Sequence, residues 1–120
     1  MRRSHRDLRV WQEAVSLVED VYRLTSSFPR DEIYGLTSQM RRAAVSVPAN
    51  IAEGSARKGT KELLYFVNVA MGSLSELDTH VEIANRLGYC SDGEALKGRM
   101  DTVSALLLAL AESLKRKLVR

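Results

Sequence analysis

Apolar side chains along the 120-residue chain recur at intervals of three and four, and no stretch alternates in the manner of a strand. That period belongs to helices that each turn one face to a core. Trp11, Ala14, Val15, Val18, Val21 and Tyr22 keep the rhythm, while Gln12, Glu13, Ser16, Glu19, Asp20 and Arg23 fill the other side, which predicts a first helix over 8–25. The segment TSSFPRDEIYG breaks it, because Ser26-Ser27 and Phe28-Pro29 disfavour continuation. A second helix is predicted over 36–57, ended by R-K-G-T, with Thr60 placed to cap a third over 61–87. Leu63, Val67, Ala70, Leu74, Leu77, Val81 and Ala84 mark its core face, and Gly88 after Leu87 reads as a left-handed stop. Ser91 and Glu94 have the S-x-x-E spacing of a capping box and open a fourth helix over 92–118, carried by Leu96, Met100, Val103, Leu107, Leu110, Leu114 and Leu118. Four long helices with short connections fold most simply as an all-α, antiparallel up-down-up-down four-helix bundle, one domain over 1–120.

Composition narrows the setting. Two prolines, seven glycines and scarce aromatics suit helices, and the chain is long enough to bury a core without cross-links. A lone cysteine, Cys90, rules out an internal disulfide framework and fits a reducing cytosol. The N-terminal MRRSHRDLRVW has a basic start without the apolar stretch of a secretory signal. The longest apolar run, Ala105 to Ala111, is seven residues, against about 20 for a membrane span. These features predict a cytoplasmic protein with no membrane partner. The net charge of +3 and pI near 9.2 lean modestly toward anionic partners.

The second helix is unusual in carrying three faces. Leu36, Met40, Ala43, Ala44, Val47 and Ile51 form a core face. Gln39, Arg42, Ser46, Asn50 and Glu53 fall in a polar strip about 80° wide. Beyond the strip lie Val45, Ala49 and Ala52, again small and apolar. A solvated face and a row of catalytic groups are two readings of the strip, but apolar flanks on both sides favour a covered polar seam. Residues 105–111 point the same way, being apolar in every direction around the axis of the fourth helix. Together they predict a homo-oligomer packed through helices two and four. Pro48 lacks an N–H and presses on the carbonyl of Ala44, so helix two should kink or restart there. The freed carbonyl then needs a donor, from Asn50 or a neighbouring subunit.

The segments DLRVWQEAVSLVEDVYRLT, FPRDEIYGLTSQMRRAAVSVPANIAEG and GSLSELDTHVEIANRLGY resemble, in order and spacing, the four-helix-bundle family called 23S rRNA intervening-sequence proteins, also labelled S23 ribosomal protein-like. The resemblance covers nearly the whole chain, with QMRRAAVSVPANIAEG and GSLSEL its specific parts. It implies a small bacterial protein that assembles into a barrel-like homopentamer. Some members are encoded within inserts of large-subunit ribosomal RNA genes and many are not. Accessory proteins of diversity-generating retroelements are similar in fold and form basic pentamers that engage a reverse transcriptase and nucleic acid. The resemblance carries over no catalytic residue.

Topology also distributes the charge. In an up-down-up-down bundle the N-terminus, the connection between helices two and three, and the C-terminus share one end. Arg2, Arg3, Arg6, Arg9, Arg57, Lys58, Lys61, Lys115, Arg116, Lys117 and Arg120 gather there, eleven of the 18 basic residues, with Asp7, Glu53, Glu62 and Glu112 as the acids. A ring of such ends would attract RNA or DNA backbones, or a nucleic-acid enzyme, in a salt-sensitive way. The alternative is that cations at helix C-termini complement helix dipoles and aid solubility. No stacking aromatics are interleaved with these bases in sequence, which argues against sequence-specific recognition of single strands.

Other motifs fall short of chemistry. GSARKGTK from Gly54 has the wrong order for a phosphate-binding loop and no preceding strand. Glu76 and His80 form one E-x-x-x-H spacing, whereas a di-iron bundle wants two Glu-x-x-His motifs and further inward carboxylates. A hydrogen bond between them at a helix interface is expected instead. Cys90 reads as a half-buried small side chain and Trp11 as a core or interface anchor. No cofactor or metal is predicted. The function expected is that of a non-enzymatic oligomeric scaffold or adaptor with a basic end, the alternative being a protein–protein module without a nucleic-acid role.

Overall fold

The computed structural model describes residues 4–90 and 94–119. Four helices, α1 (Arg9–Thr25), α2 (Leu36–Ala56), α3 (Thr60–Arg86) and α4 (Glu94–Leu118), are joined by short connections, with 3-10 turns at His5–Asp7 and Arg30–Glu32. Among the described residues there is no strand. Each helix packs on the next and α4 closes back on α1, the α2–α3 contact being the most extensive. The body measures 50 × 20 × 20 Å.

Local chemistry explains where the helices stop. At the end of α1, three successive hydroxyls bond back to last-turn carbonyls: Thr25 Oγ1 to Val21 O at 2.8 Å, Ser26 Oγ to Arg23 O at 2.7 Å and Ser27 Oγ to Leu24 O at 3.1 Å. The two serines satisfy acceptors that a terminating helix leaves open, while Thr25 shares a carbonyl that its own backbone already uses. α2 opens behind Gly35, and the Glu32 carboxylate accepts from the Leu36 N–H at 3.1 Å. α3 ends in a Schellman turn: Gly88 takes φ +76°, its N–H bonds to Asn85 O and that of Tyr89 to Ala84 O. Ser91 of the predicted Ser91–Glu94 capping box lies outside the described residues.

One core runs through the middle of the bundle. The expected apolar faces of α2 and α3 are buried throughout. α1 is rotated from the expected face. Val10, Ala14, Leu17 and Val21 are its buried apolar positions, while Tyr22 is 44% exposed and Trp11, Val15 and Val18 are half-buried. α1 has apolar residues over a wide arc, and the neighbouring helices select its centre. In α4, Ala111 takes the fully buried place expected of Leu110, and Leu118 is exposed.

Small residues draw α2 and α3 together. A Cβ on Gly54 would lie 2.8 Å from Phe66 Cβ and 3.0 Å from Leu63 Cδ1, so glycine is the residue that fits at this crossing. Pro48 is buried inside α2, which runs unbroken from Leu36 to Ala56 and does not restart there.

Candidate functional site

The polar strip of α2 divides into parts with different surroundings. Ser46 and Asn50, both half-buried, form a network at the α2–α3 joint. Ser46 Oγ meets Ser73 Oγ at 2.8 Å, and the Asn50 amide donates to Ser46 O at 2.8 Å and to Ser46 Oγ at 2.9 Å. Asn50 therefore serves the carbonyl of Ser46, not the Ala44 carbonyl that Pro48 leaves without its usual donor. Gln39 and Arg42 line a groove of about 520 Å³ with Tyr34, Ser38, Ser46, Ser73 and Glu76. Gln39 and Arg42 are both exposed there. Glu53 is exposed at the far end, 3.1 Å from Arg57. The strip is thus one open polar groove, one internal hydroxyl–amide knot and one surface ion pair. Its outer flank is open in the single chain: Val45 is 43% exposed, Ala49 is exposed and Ala52 half-buried.

At the basic positions, Arg6, Arg9, Arg57, Lys58, Lys61, Lys115, Arg116 and Lys117 are all exposed, while Arg2, Arg3 and Arg120 lie outside the described residues. Lys115 faces Glu112 at 3.6 Å. Three rings stand beside these cations. The Arg6 guanidinium lies 5.4 Å from the Trp11 ring centre, with His5 edge-on to the same ring. Arg57 lies 5.3 Å from the Phe66 ring centre, and Phe66 meets Tyr65 edge-to-face with centroids 5.1 Å apart. Tyr65 is 62% exposed. Reading the bases as free of interleaved aromatics missed this arrangement, because Tyr65 lies one helical turn beyond Lys61 and Phe66 meets Arg57 only through the fold. The signal available in sequence was the i, i+4 spacing of Lys61 and Tyr65.

The groups weighed for chemistry make structural contacts, except that the Nδ1 of buried His80 has no hydrogen-bond partner among the described residues. Buried His80 reaches Glu76 with Nε2 at 3.4 Å, and among the described residues no cluster of three or more His, Cys, Asp or Glu is placed to hold a metal. Cys90 Sγ donates to Asn85 Oδ1 at 2.9 Å, and burial pushes its thiol pKa up, away from the thiolate a nucleophile needs. Two polar clusters that sequence reading overlooked join elements far apart in the chain. Arg99 of α4 bonds Asp20 and Glu13 of α1, each at 3.0 Å, and these acids hold its pKa above the usual arginine value. Tyr89 OH donates to Glu32 Oε2 at 2.8 Å. The Leu36 N–H first, and Tyr89 second, hold the Glu32 carboxyl below its ordinary pKa, and Glu32 raises that of Tyr89.

A family model described as 23S rRNA-intervening sequence protein matches residues 6–109. The chain belongs to that family. A comparison with curated proteins gave no match. Membership in the intervening-sequence family agrees with the four-helix architecture. The match takes in the α2 strip, the Tyr65–Phe66 pair and the basic residues at 57, 58 and 61, and ends within α4 ahead of Lys115. Among the described residues no helix is long and apolar enough to cross a membrane.

Proposed function

We propose that this chain is a non-enzymatic scaffold or adaptor that assembles with copies of itself and holds RNA or DNA by the phosphate backbone at a basic end. The proposal includes an antiparallel up-down-up-down order. Only Arg57, Lys58 and Gly59 separate α2 from α3, yet the two pack along one another and Ser46 meets Ser73, which a short connector permits when the chain reverses. It also includes a bend in α2 at Pro48, where the Ala44 carbonyl loses its helical donor. The resemblance to pentameric, S23-like bacterial proteins supports five subunits and a cytoplasmic setting. The open flank at Val45 and Ala49 on α2 and the 51% exposed Leu108 on α4 support burial against a second copy. No metal or cofactor enters this reading.

The observation that carries the nucleic-acid part is the gathering of cations at one end. The N-terminal turn, the 57–59 connector and the end of α4 share that end in an antiparallel order. The eight exposed cations in and beside these segments outnumber the four exposed acids, Asp7, Glu53, Glu62 and Glu112. Replacing Arg57, Lys58 and Lys61 together with Gln should weaken binding to generic RNA and DNA alike. The slope of log affinity against log salt should flatten by about one for each phosphate no longer neutralised. Affinity absent at low salt, or indifferent to salt, ends the proposal. The ion pairs Arg57–Glu53 and Lys115–Glu112 favour a second reading, a protein–protein module whose cations only solvate it. A partner complex that survives nuclease treatment intact, with no nucleic acid bound by the purified chain, selects that module.

A further inference from the structure

We propose that Tyr65, seated on Phe66 beside Arg57 and Lys61, is a stacking platform for an unpaired nucleobase, so that the basic end takes single-stranded nucleic acid in preference to duplex. This deepens the backbone-binding reading above and rests on it. Tyr65 stands one turn beyond Lys61 on α3, so the ring and the ammonium share a helix face. Its neighbour Phe66 is held at its root, because a Cβ on Gly54 of α2 would lie only 2.8 Å from Phe66 Cβ. From the side, Arg57 covers Phe66 at 5.3 Å. The Tyr65–Phe66 rings meet at an interplanar angle of 86°. Such an edge-to-face contact leaves at least one face of Tyr65 free of Phe66, and 62% of the residue is open to solvent.

An aromatic held in place, open on a face and flanked by cations has the two parts that single-strand binding needs: a surface for the base and charges for the flanking phosphates. Exposed Lys58 and Lys61 supply the charge locally, while Arg57 pairs with Glu53 and the carboxylate of Glu62 folds over Gly59 at the start of α3. The Arg6–Trp11 pair on the N-terminal turn repeats the guanidinium-on-ring arrangement. In the antiparallel order it lies at the same end and gives a strand a second place to rest. A duplex keeps its bases stacked on one another and offers Tyr65 nothing but phosphates. Stacking tolerates any base, so the preference is for strandedness and not for sequence.

The test measures fluorescence anisotropy of labelled oligothymidylate, oligouridylate and a random-sequence DNA duplex with the full chain, its Tyr65→Ala and Tyr65→Trp variants, and the Arg57, Lys58 and Lys61 triple Gln variant. Light scattering is run on each protein. Tyr65→Ala should lose about 5- to 150-fold in single-strand affinity, the worth of one stacked base. It should leave duplex binding and subunit number unchanged, and Tyr65→Trp should retain single-strand affinity. Single-strand binding that is unaffected by Tyr65→Ala, while the triple variant weakens strand and duplex together, overturns the platform and leaves the backbone reading standing. No binding of either probe at low salt overturns both. A change of subunit number in Tyr65→Ala assigns the ring to a contact between copies and overturns the platform.

Discussion

Single residues in this chain do work that their type alone would not announce. Glu32 holds the first N–H of α2 with one oxygen and the Tyr89 hydroxyl with the other, linking the α1–α2 connection to the segment after α3. Its folded-state pKa lies below the ordinary value of 4.5, so the stability it contributes is present above that value and is lost as pH falls through the depressed one. Tyr89 is raised above 10.0, so its contribution is present below that pH and is lost as pH climbs through the raised value. Thermal melts across this range should show stability falling at both margins. Glu32→Ala should flatten the acid limb below about pH 4.5 and the alkaline limb above about pH 10, because one hydrogen bond underlies part of each. Equal slopes in the variant and the parent would remove Glu32 as the source.

The elements show which faces had room for choice. Gly54 lies inside α2, where alanine ordinarily stabilises a helix by about 1 kcal/mol relative to glycine. Here an added Cβ meets Phe66 Cβ at 2.8 Å, near the backbone of α3 and not at the yielding tip of a long side chain. Gly54→Ala should therefore destabilise by about 1–3 kcal/mol in urea denaturation, the cost of overpacking; a more stable variant would mean that α3 moves aside freely. The α2 and α3 core faces were readable because their apolar positions form narrow stripes. The α1 face was not, since a wide apolar arc leaves the rotation to the partners. The same holds for Arg99, whose two carboxylate partners lie on α1, 79 and 86 residues earlier in the chain.

For the whole molecule the decisive quantity is the apolar surface that one chain leaves uncovered. Val45 and Leu108 stand half in water in the single chain, on the two helices whose patterns carry more apolar surface than one core uses. Replacing both with Asp should lower the mass measured by light scattering toward that of a single 13.4 kDa chain while circular dichroism stays helical. A parent protein that is already a well-folded monomer at micromolar concentration would remove the assembly and, with it, the ring of positive ends.

Period and punctuation belong to the sequence: four helices, the left-handed stop at Gly88 and the buried faces of α2 and α3 follow from side-chain spacing and backbone preference, which act over one or two turns. The polar strip was visible too, and so was its likeness to the intervening-sequence family. Only the tertiary structure decided that Ser46 and Asn50 turn to Ser73, that Arg99 clasps α1, and that Arg57, Phe66 and Tyr65 form one cluster beside Lys61. Those meetings join different helices or the two sides of a connector. The helical period states which residues share a face but is silent on which face of another helix they will meet, and that is settled by how closely residues such as Gly54 allow two backbones to approach.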